Sequence, residues 1–366
     1  MKTASRFDAV IASVWIMFAV IPPVIASPAM VDELPTPTAD KKRPKICLVL
    51  SGGGARGAAH VGVLKVLEEY RVPIDCIVGT SMGALVGAGY ATGTSVAEME
   101  RINAEISTAL LFKEQPPRDQ QTMRIKSDDY RPYIGPEFGI NASGLKLPKG
   151  FVSGVQLESV LRRLAKAKGY LNFDKLPIPY RAVATDLVTG KPVVFSKGEL
   201  ANVMRASMSV PGVVAPAEIN GMILVDGMLT RNLPVETARA MGADIIIAVN
   251  VGTPLLKRDE LGSILGVTNQ MLSILTEQNV QASLAKLKPK DILITPELGD
   301  YSTGDFDNLA KISPLGEVAA ESQIANHSRQ GHYDRVDAQG GDAAELEQHR
   351  LQHKRHQDHR KRSPAQ

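Results

Sequence analysis

The clearest candidate for chemistry is the segment Gly79-Thr80-Ser81-Met82-Gly83, which has the pattern G-x-S-x-G. It lies between an apolar run typical of a buried strand and a run of small residues typical of a helix. At such a turn the serine hydroxyl stands at the helix N-terminus, and the glycines remove Cβ atoms that would collide. The helix dipole favours negative charge beside that hydroxyl. This context predicts that Ser81 is a nucleophile, supported by Gly79 and Gly83.

A second segment with chemical potential is the glycine-rich run SGGGARG, which starts at position 51 and opens the next predicted helix. Its backbone amides suit either an oxyanion or a phosphate. Gly52, Gly54 and Gly57 fit the dinucleotide fingerprint G-x-G-x-x-G, and Asp75 follows further along the chain. An acid that binds ribose belongs at the carboxyl end of the second strand, however, whereas Asp75 begins that strand. We therefore favour an oxyanion hole.

The distribution of histidines argues against a Ser-His-Asp triad. A serine nucleophile usually needs a histidine base, which in α/β-hydrolases follows the serine in the chain. Here only His60 precedes residue 327, and its helical spacing with Leu64 and Leu67 predicts a buried core position rather than a base. The others lie at the end of the predicted domain or in the tail beyond it: His327, His332, His349, His353, His356 and His359.

Asp226 is the acidic residue best placed to replace the missing base. The apolar run 222–225 predicts a strand that delivers this carboxylate to a turn starting at Gly227, at the strand end where open α/β sheets place their sites. A carboxylate with a pKa of about 4 is a poor base for an alcohol unless a short hydrogen bond and a dry pocket help it. A structural turn aspartate is the alternative, which spacing alone leaves open.

Three ordered blocks of the sequence resemble the patatin-like phospholipase family, especially its exported bacterial branch. They are GGGARGAAHVGVLKVLEE from Gly52, GTSMGALVGAGYA from Gly79 and RASMSVPGVVAPAEINGMILVDGMLTRNLPVETARAMGADIIIAVNVGTPL from Arg205. The resemblance is strong over residues 43–255 and continues weakly to about residue 324. It implies a three-layer α/β/α fold with a mainly parallel sheet, and hydrolysis of acyl esters by a Ser-Asp dyad.

The resemblance also implies a role for each site residue. Ser81 would be the nucleophile and Asp226 its base, with Gly227 supporting the turn. The oxyanion would be stabilised by the amides of three glycines: Gly52, Gly53 and Gly54. Arg56 would brace this loop or contact a phosphate.

Phospholipid or lysophospholipid esters would be the substrates, with no metal or organic cofactor, and any membrane contact would be peripheral. One departure from the family pattern is Met228, because the family's aspartate is usually followed by Gly-Gly or Gly-Ala. A long side chain beside the base is expected to narrow the pocket or alter the acyl preference.

Outside these motifs, strand-like and helix-like patterns alternate, which predicts parallel strands covered by helices on both faces. Strands are expected at 46–50, 74–78, 180–185, 192–195, 222–225, 245–249 and 292–294. Helices are expected at 55–70, 82–91, 95–106, 156–168, 234–241 and 262–288. Together they predict one acyl hydrolase domain over residues 44–335, followed by a basic tail over 336–366 that is expected to be disordered.

Residues 1–26 have the layout of a secretory signal peptide. Lys2 and Arg6 precede a short apolar run, and Ala26 ends a group of small or apolar residues suited to cleavage. Since a membrane-spanning helix needs about 20 residues, an uncleaved anchor is the less favoured alternative. Residues 27–43, rich in proline and charge, are predicted to be a linker. The protein is therefore expected to be periplasmic or secreted.

The two cysteines, Cys47 and Cys76, each lie in an apolar run. We interpret both as small buried hydrophobic residues, the alternative being a disulfide, which an oxidising compartment permits. Their spacing suits no metal site.

The net charge of +3 belongs to the tail rather than to the domain. Residues 349–362 hold six of the 42 Lys and Arg residues and one of the 39 Asp and Glu residues, which leaves 36 against 38 elsewhere. A nearly neutral domain gives no reason to expect nucleic acid as a partner.

Two other functions remain open on the sequence. One is a dinucleotide-binding oxidoreductase that uses the glycine loop, and the other is a catalytically silent lipid-binding module. A polar, Pro/Gly-rich stretch over residues 109–151 carries exposed apolar residues. It is expected to form either a lid or interfacial surface, or an ordinary insertion loop.

Overall fold

The structure is a computed structural model that describes residues 43–108, 111, 139–141, 144–146 and 155–329. The predicted signal peptide and basic tail lie outside these residues, as do nearly all of the linker and most of the 109–151 stretch, so each of these stays a prediction. Among the helices described, none combines the length and the apolar character needed to cross a membrane.

Twelve strands are described, and most are short and apolar. They are β1 Ile46–Leu50, β2 Cys76–Thr80, β3 Gly139–Asn141, β4 Gly144–Lys146, β5 Tyr170–Asn172, β6 Tyr180–Asp186, β7 Pro192–Phe195, β8 Lys197–Glu199, β9 Ala217–Ile219, β10 Met222–Asp226, β11 Ile245–Val249 and β12 Ile292–Ile294.

Nine α-helices are described alongside the strands. They are α1 Ala59–Glu69, α2 Met82–Ala91, α3 Val96–Glu105, α4 Val155–Leu164, α5 Leu200–Ser207, α6 Met228–Arg231, α7 Val235–Ala240, α8 Ile264–Leu284 and α9 Leu309–Arg329. Short 3₁₀ turns occur at Gly54–Ala58, Phe173–Lys175, Arg258–Leu261 and Phe306–Asn308.

Eight strands form one mixed sheet in the order β12-β11-β1-β2-β6-β10-β9, with β7 also paired to β6. The five strands β12, β11, β1, β2 and β6 run parallel to one another, whereas β7 and β10 pair antiparallel to β6, and β9 pairs antiparallel to β10. Since β1 and β2 have parallel neighbours on both sides, their carboxyl ends lie at one edge of the sheet. That edge therefore receives the glycine loop after β1 and the serine turn after β2.

The central strands are buried on both faces, as parallel strands covered by helices must be. Ile46, Leu48 and Leu50 of β1 belong to one apolar cluster, which α1–α5 and α9 also build. Cys47 and Val49 belong to a second cluster on the opposite face, together with residues of α7 and α8. Alternate side chains of one strand thus enter two separate cores, and the predicted three-layer α/β/α fold is confirmed.

The second strand and several other elements differ from the sequence prediction. We expected a strand at residues 74–78, but β2 covers Cys76–Thr80 because Gly79 and Thr80 pair with Ala182 and Val183 of β6. The strand therefore runs directly into Ser81. The first helix begins as a 3₁₀ turn at Gly54 and becomes α-helical only at Ala59. Helices α5 and α9 and the edge strand β9 were not predicted.

The two cysteines are joined in a disulfide, so our interpretation of them as unpaired residues is wrong. Cys47 and Cys76 are register partners on the adjacent parallel strands β1 and β2, with Cα atoms 4.6 Å apart. This separation lies within the range that a disulfide spans. Both residues are fully buried, as expected.

Candidate active site

Ser81 stands at the sharp turn between β2 and α2, with φ of 52° and ψ of −124°. A positive φ is uncommon for any residue with a side chain and is often found where function requires it. A Cβ on Gly79 would collide with the backbone of Gly83, and a Cβ on Gly83 would collide with the backbone at the end of β1. The two glycines therefore allow the turn to close tightly against the first strand.

The hydroxyl of Ser81 donates a hydrogen bond of 2.6 Å to Oδ2 of Asp226, although the two residues are 145 positions apart. The serine is 5% exposed and the aspartate 0% exposed. A hydroxyl that donates to a buried carboxylate has its proton directed at a base, while both lone pairs of its oxygen stay free. The pair therefore has the geometry that a serine nucleophile and a carboxylate base would need, without a histidine.

Asp226 ends β10 and makes two further hydrogen bonds. Its amide donates to the carbonyl of Ser209 (2.9 Å), and its Oδ1 accepts the amide of Met228 at 2.8 Å. A Cβ on Gly227 would collide with the carbonyl of Val183 in β6. Burial raises the pKa of Asp226 to about 7, against a smaller lowering by the bonds from Ser81 and Met228.

Ser207 is a site residue that sequence reasoning missed. Its hydroxyl accepts the amide of Ser81 at 2.9 Å and donates to the carbonyl of Val183 at 2.6 Å. Ser207 ends α5, which was not predicted, although it lies in the block RASMS that carried the family resemblance. The available signal in the sequence was the closely spaced pair of serines, Ser207 and Ser209, within this block.

The glycine loop after β1 lies against the nucleophile. A Cβ on Gly52 would lie 2.9 Å from the Cβ of Ser81. The amide of Gly52, however, already donates to Oδ1 of Asn232 at 3.0 Å, and the Asn232 side chain also donates to the Gly52 carbonyl at 3.4 Å. Gly52 therefore shapes the loop, and its amide is not free for an oxyanion.

Two amides of the loop remain available. Within the described residues, neither the amide of Gly53 nor that of Gly54 has a hydrogen-bond acceptor, whereas the next amide, of Ala55, donates to the carbonyl of Thr303. Gly54 has a φ of +55°, and a Cβ there would collide with that same carbonyl. The loop conformation thus requires glycine at position 54, and it leaves two adjacent amides without an acceptor in the loop whose Gly52 lies against Ser81.

Arg56 braces this loop from within the protein. Its guanidinium donates to the carbonyls of Val251 (3.0 Å) and Tyr301 (2.6 Å), and the residue is only 7% exposed. Burial lowers the pKa of Arg56. Of the two roles that the resemblance implied for Arg56, these contacts favour bracing over binding a phosphate.

His60 occupies a core position rather than the catalytic centre. Its Nε2 lies 2.8 Å from the carbonyl of Ser51 and therefore carries the ring proton, and burial lowers the pKa of His60 to about 4. In the part of the chain that the structure describes, no hydrogen bond joins His60 to Ser81 or Asp226. The imidazole thus supports the start of the glycine loop.

A family profile decides the relationship that the three blocks indicated. The profile of the patatin-like phospholipases matches residues 48–239, just over half of the 366 residues. The chain belongs to the patatin-like phospholipase family. The matched region contains both Ser81 and Asp226 and the whole glycine loop.

This patatin-like chain is similar to several curated proteins and, more distantly, to a solved structure. An uncharacterized NTE family protein of Mycobacterium tuberculosis is 35% identical over 222 residues, which are 60% of this chain and 53% of the relative. Lysophospholipase NTE1 of Candida albicans is 26% identical over 311 residues, 79% of this chain and 20% of the relative. The chain thus spans about half, or less, of the length of these relatives. The crystal structure of VipD from Legionella pneumophila has a TM-score of 0.42 and 15% identity, covering 78% of this chain and 67% of that one.

Asp75, the acidic residue of the alternative dinucleotide-binding site, lies at the amino end of β1. Oδ2 of Asp75 accepts the amide of Ile46 at 2.8 Å, at the amino end of β1. The glycine loop leaves β1 at its carboxyl end, so Asp75 is not placed to bind a ribose held by that loop. Among the described residues, no group of three or more His, Cys, Asp or Glu residues is arranged to hold a metal ion.

A small apolar cavity of about 40 Å³ lies beside the serine turn of this patatin-like site. Its walls come mainly from α2, α3 and α4. Met82, which directly follows the nucleophile, and Met208, which lies between Ser207 and Ser209, both line it. The residue after Ser81 and the residue after Ser207 therefore both face an apolar environment.

Proposed function

We propose that the protein is a lipid acyl hydrolase in which Ser81 attacks an ester carbonyl and Asp226 takes the serine proton. The observation that carries this proposal is the 2.6 Å hydrogen bond between the two side chains in a buried setting. A buried carboxylate with a raised pKa is a better base toward an alcohol than an exposed aspartate. The glycine loop beside Ser81 supplies the complementary charge stabilisation.

The reaction follows from these positions. As the Ser81 oxygen bonds to the carbonyl carbon, its proton passes to Asp226, and the amides of Gly53 and Gly54 stabilise the tetrahedral oxyanion. The intermediate collapses by breaking the ester bond, and the leaving alcohol takes the proton from Asp226. Water then attacks the acyl-enzyme, Asp226 accepts its proton, and collapse releases the fatty acid while that proton returns to Ser81.

Phospholipid or lysophospholipid esters are the proposed substrates. The apolar side chains around the small cavity beside Met82 and Met208 support this choice, because they give the serine turn an apolar neighbourhood. Family membership supports it as well, as does the name lysophospholipase of the Candida albicans relative. We expect the reaction to need no metal or organic cofactor.

We further propose that the protein is exported and works at a membrane surface. The disulfide between Cys47 and Cys76 supports an oxidising compartment. Five exposed apolar side chains follow one another along α8 and support a peripheral contact with lipid: Ile264, Val267, Met271, Ile274 and Leu275.

A fluorophosphonate probe, together with fatty-acid release from mixed phospholipids, tests the hydrolase. We expect the probe to label the wild-type protein and Ser95→Ala, which removes an exposed serine that caps α3, but not Ser81→Ala. Labelling that survives in Ser81→Ala would disprove the nucleophile. A folded protein that is not labelled and releases fatty acid only at background would instead favour the silent lipid-binding module.

A further inference from the structure

One short segment at the carboxyl end of α5 contacts both members of the Ser81–Asp226 pair. On the side of the serine, the Ser207 hydroxyl accepts the amide of Ser81 at 2.9 Å. On the side of the aspartate, the carbonyl of Ser209 accepts the amide of Asp226 at 2.9 Å. The carbonyl of Ser207 also accepts the amide of Gly227 at 3.4 Å. Hydrogen bonds from this one segment therefore connect two residues that are 145 positions apart in the chain.

The two sides of this connection differ in chemistry. Asp226 and Gly227 are held by backbone carbonyls, which a residue of any type at positions 207 and 209 would supply. The amide of Ser81 is held by a side-chain hydroxyl, which depends on the residue type at position 207. A substitution of Ser207 can therefore release the serine turn while the hydrogen bonds to the aspartate segment remain in place.

The Ser207 hydroxyl is itself fixed in one orientation. It is fully buried, and it donates its proton to the carbonyl of Val183 in β6 at 2.6 Å. Since a hydroxyl has a single proton, its oxygen meets the Ser81 amide as an acceptor. Ala184, the next residue of β6, is the register partner of Asp226. Adjacent residues of one strand thus anchor Ser207 and pair with the aspartate, so β6 sets the positions of both.

The backbone of Ser81 makes such an anchor necessary. A φ of 52° is strained for a residue with a side chain, and it persists only where the surrounding structure enforces it. The hydrogen bond from the Ser81 amide to Ser207 acts directly on this peptide unit. Without it, the turn could relax and carry the Ser81 hydroxyl away from the carboxylate of Asp226.

We propose that Ser207 is a positioning residue that holds the Ser81 hydroxyl within hydrogen-bonding reach of Asp226. The proposal rests on the hydrolase function proposed above, because it gives Ser207 a role in that reaction. No new chemical step is involved: the proton of Ser207 stays on its own hydroxyl, directed at Val183, while Ser81 and Asp226 exchange theirs. Removing the Ser207 hydroxyl should therefore slow the chemical step and leave substrate binding unchanged.

The first test compares Ser207→Ala with Ser209→Ala in fatty-acid release from a lysophosphatidylcholine. Each substitution removes one fully buried hydroxyl, but that of Ser209 donates to the carbonyl of Arg205 rather than to the site. In Ser207→Ala, kcat and the rate of fluorophosphonate labelling should fall by about ten- to a hundredfold with KM nearly unchanged, because a misplaced nucleophile affects the chemical step. Ser209→Ala should retain wild-type kinetics. Ser207→Cys, which keeps a weaker acceptor, should lie between the two, and it replaces Ser207→Ala if that variant does not fold.

A second test needs no hydrolysis and so separates failure of this proposal from failure of the hydrolase. The hydrogen bond from Ser81 lowers the pKa of Asp226 against the larger rise caused by burial. A Ser81 hydroxyl that has moved away should therefore leave the pKa of Asp226 above its wild-type value of about 7. Infrared titration of protein labelled with heavy-isotope aspartate measures this pKa, with Asp226→Asn to assign the band.

We expect Ser207→Ala and Ser81→Ala each to raise the pKa of Asp226, and the double variant to raise it no further than Ser81→Ala does. Ser209→Ala should leave this pKa unchanged. The same pattern in a protein that hydrolyses no ester would support the positioning of Ser81 by Ser207 and refute the proposed function. An unchanged pKa in Ser207→Ala, an additive effect in the double variant, or an equal loss of activity in Ser209→Ala would overturn the proposal. Wild-type kinetics in a folded Ser207→Ala would overturn it as well.

Discussion

The carboxylate of Asp226 accepts a hydrogen bond of 2.6 Å from the Ser81 hydroxyl, and Asp226 is completely buried. Loss of hydration disfavours the charged form, and it raises the pKa of Asp226 to about 7. The two hydrogen bonds that the carboxylate accepts, from Ser81 and Met228, offset part of this penalty. Asp226 therefore has a proton affinity that suits the proposed role of base at neutral pH, for which an exposed aspartate would be too weak.

The first prediction concerns the pH dependence of hydrolysis. Because only the ionised carboxylate can take the Ser81 proton, kcat/KM should rise about tenfold per pH unit below pH 7 and level off above it. Initial rates of ester cleavage between pH 5 and 9 measure this profile. Asp226→Asn should lower kcat by about a thousandfold or more and remove the inflection. A flat wild-type profile, or nearly normal activity in Asp226→Asn, would point to another base.

The same carboxylate makes folding stability depend on pH. Its raised pKa means that the folded protein keeps a proton which the unfolded chain loses at about pH 4. The free energy of unfolding contributed by this group therefore falls as pH rises from about 4 to about 7, and is constant above. Asp226→Asn should be more stable than the wild-type protein at pH 8, by up to about 4 kcal/mol, and the difference should disappear near pH 4. Urea unfolding of both proteins at the two pH values measures it. An equal difference at both would contradict the prediction.

Ser81 and Asp226, the proposed nucleophile and base, could be singled out from the sequence because each lies in a short local pattern. Ser81 sits between two glycines at a strand-to-helix turn, and Asp226 ends an apolar strand before Gly227. Ser207 and Asn232 were not accessible in this way. Each acts through a hydrogen bond to a residue more than 100 positions away, and only the completed sheet brings those partners together.

Helix α9 illustrates a different limit. It contains Pro314, and Gly316 follows closely, so its sequence reads as an interrupted helix. A Cβ on Gly316 would collide with the carbonyl of Ala59, and a Cβ on Gly62 would collide with the carbonyl of Ser313. These glycines allow α9 and α1 to cross with their backbones in close contact. Glycine weakens an isolated helix, but Gly316 permits the close packing of α9 against α1, and the sequence alone does not reveal that packing.

The third prediction concerns the backbone conformation at Ser81. Ser81→Ala and Ser81→Gly both remove the hydroxyl and its bond to Asp226, but only glycine adopts a φ of 52° and ψ of −124° without strain. Ser81→Gly should therefore be more stable than Ser81→Ala by roughly 1 kcal/mol, although glycine also gains freedom in the unfolded chain. Thermal and urea unfolding of the two inactive proteins provide the comparison. If alanine proved the more stable, the turn would not be strained.

The disulfide gives a fourth prediction, on thiol content and stability. Protein purified from an oxidising compartment and denatured without reductant should show no reactive thiol, and two per chain after reduction. Replacing both Cys47 and Cys76 by alanine should lower the free energy of unfolding by about 3 kcal/mol, because the bond closes a loop with a sequence separation of 29. Thiol titration and urea unfolding measure the two quantities. Two thiols in the unreduced protein would exclude the disulfide.

The last prediction concerns Asn232, which connects the glycine loop to the rest of the site. Its side chain hydrogen-bonds both the backbone amide and the carbonyl of Gly52. The backbone amide of Asn232 donates to Oδ1 of Asn279 in α8 at 2.8 Å. Asn279 in turn donates to the carbonyl of Met228 at 2.7 Å, so one chain of hydrogen bonds links the oxyanion loop to the segment that follows Asp226. Asn232 itself needs no contact with substrate to act through this chain.

Asn232→Ala should release Gly52 and leave the amides of Gly53 and Gly54 poorly aligned. We expect kcat and the rate of fluorophosphonate labelling to fall by about ten- to a hundredfold, since misplaced oxyanion donors act mainly on the transition state. The midpoint of the pH profile should stay near 7, because the surroundings of Asp226 are unchanged. Asn202→Ala, which removes a half-buried asparagine bonded to Glu199, serves as the matched control and should retain full activity. A shifted midpoint in Asn232→Ala would mean that Asn232 acts on the base instead, and an unchanged labelling rate would mean that the loop holds its shape without it.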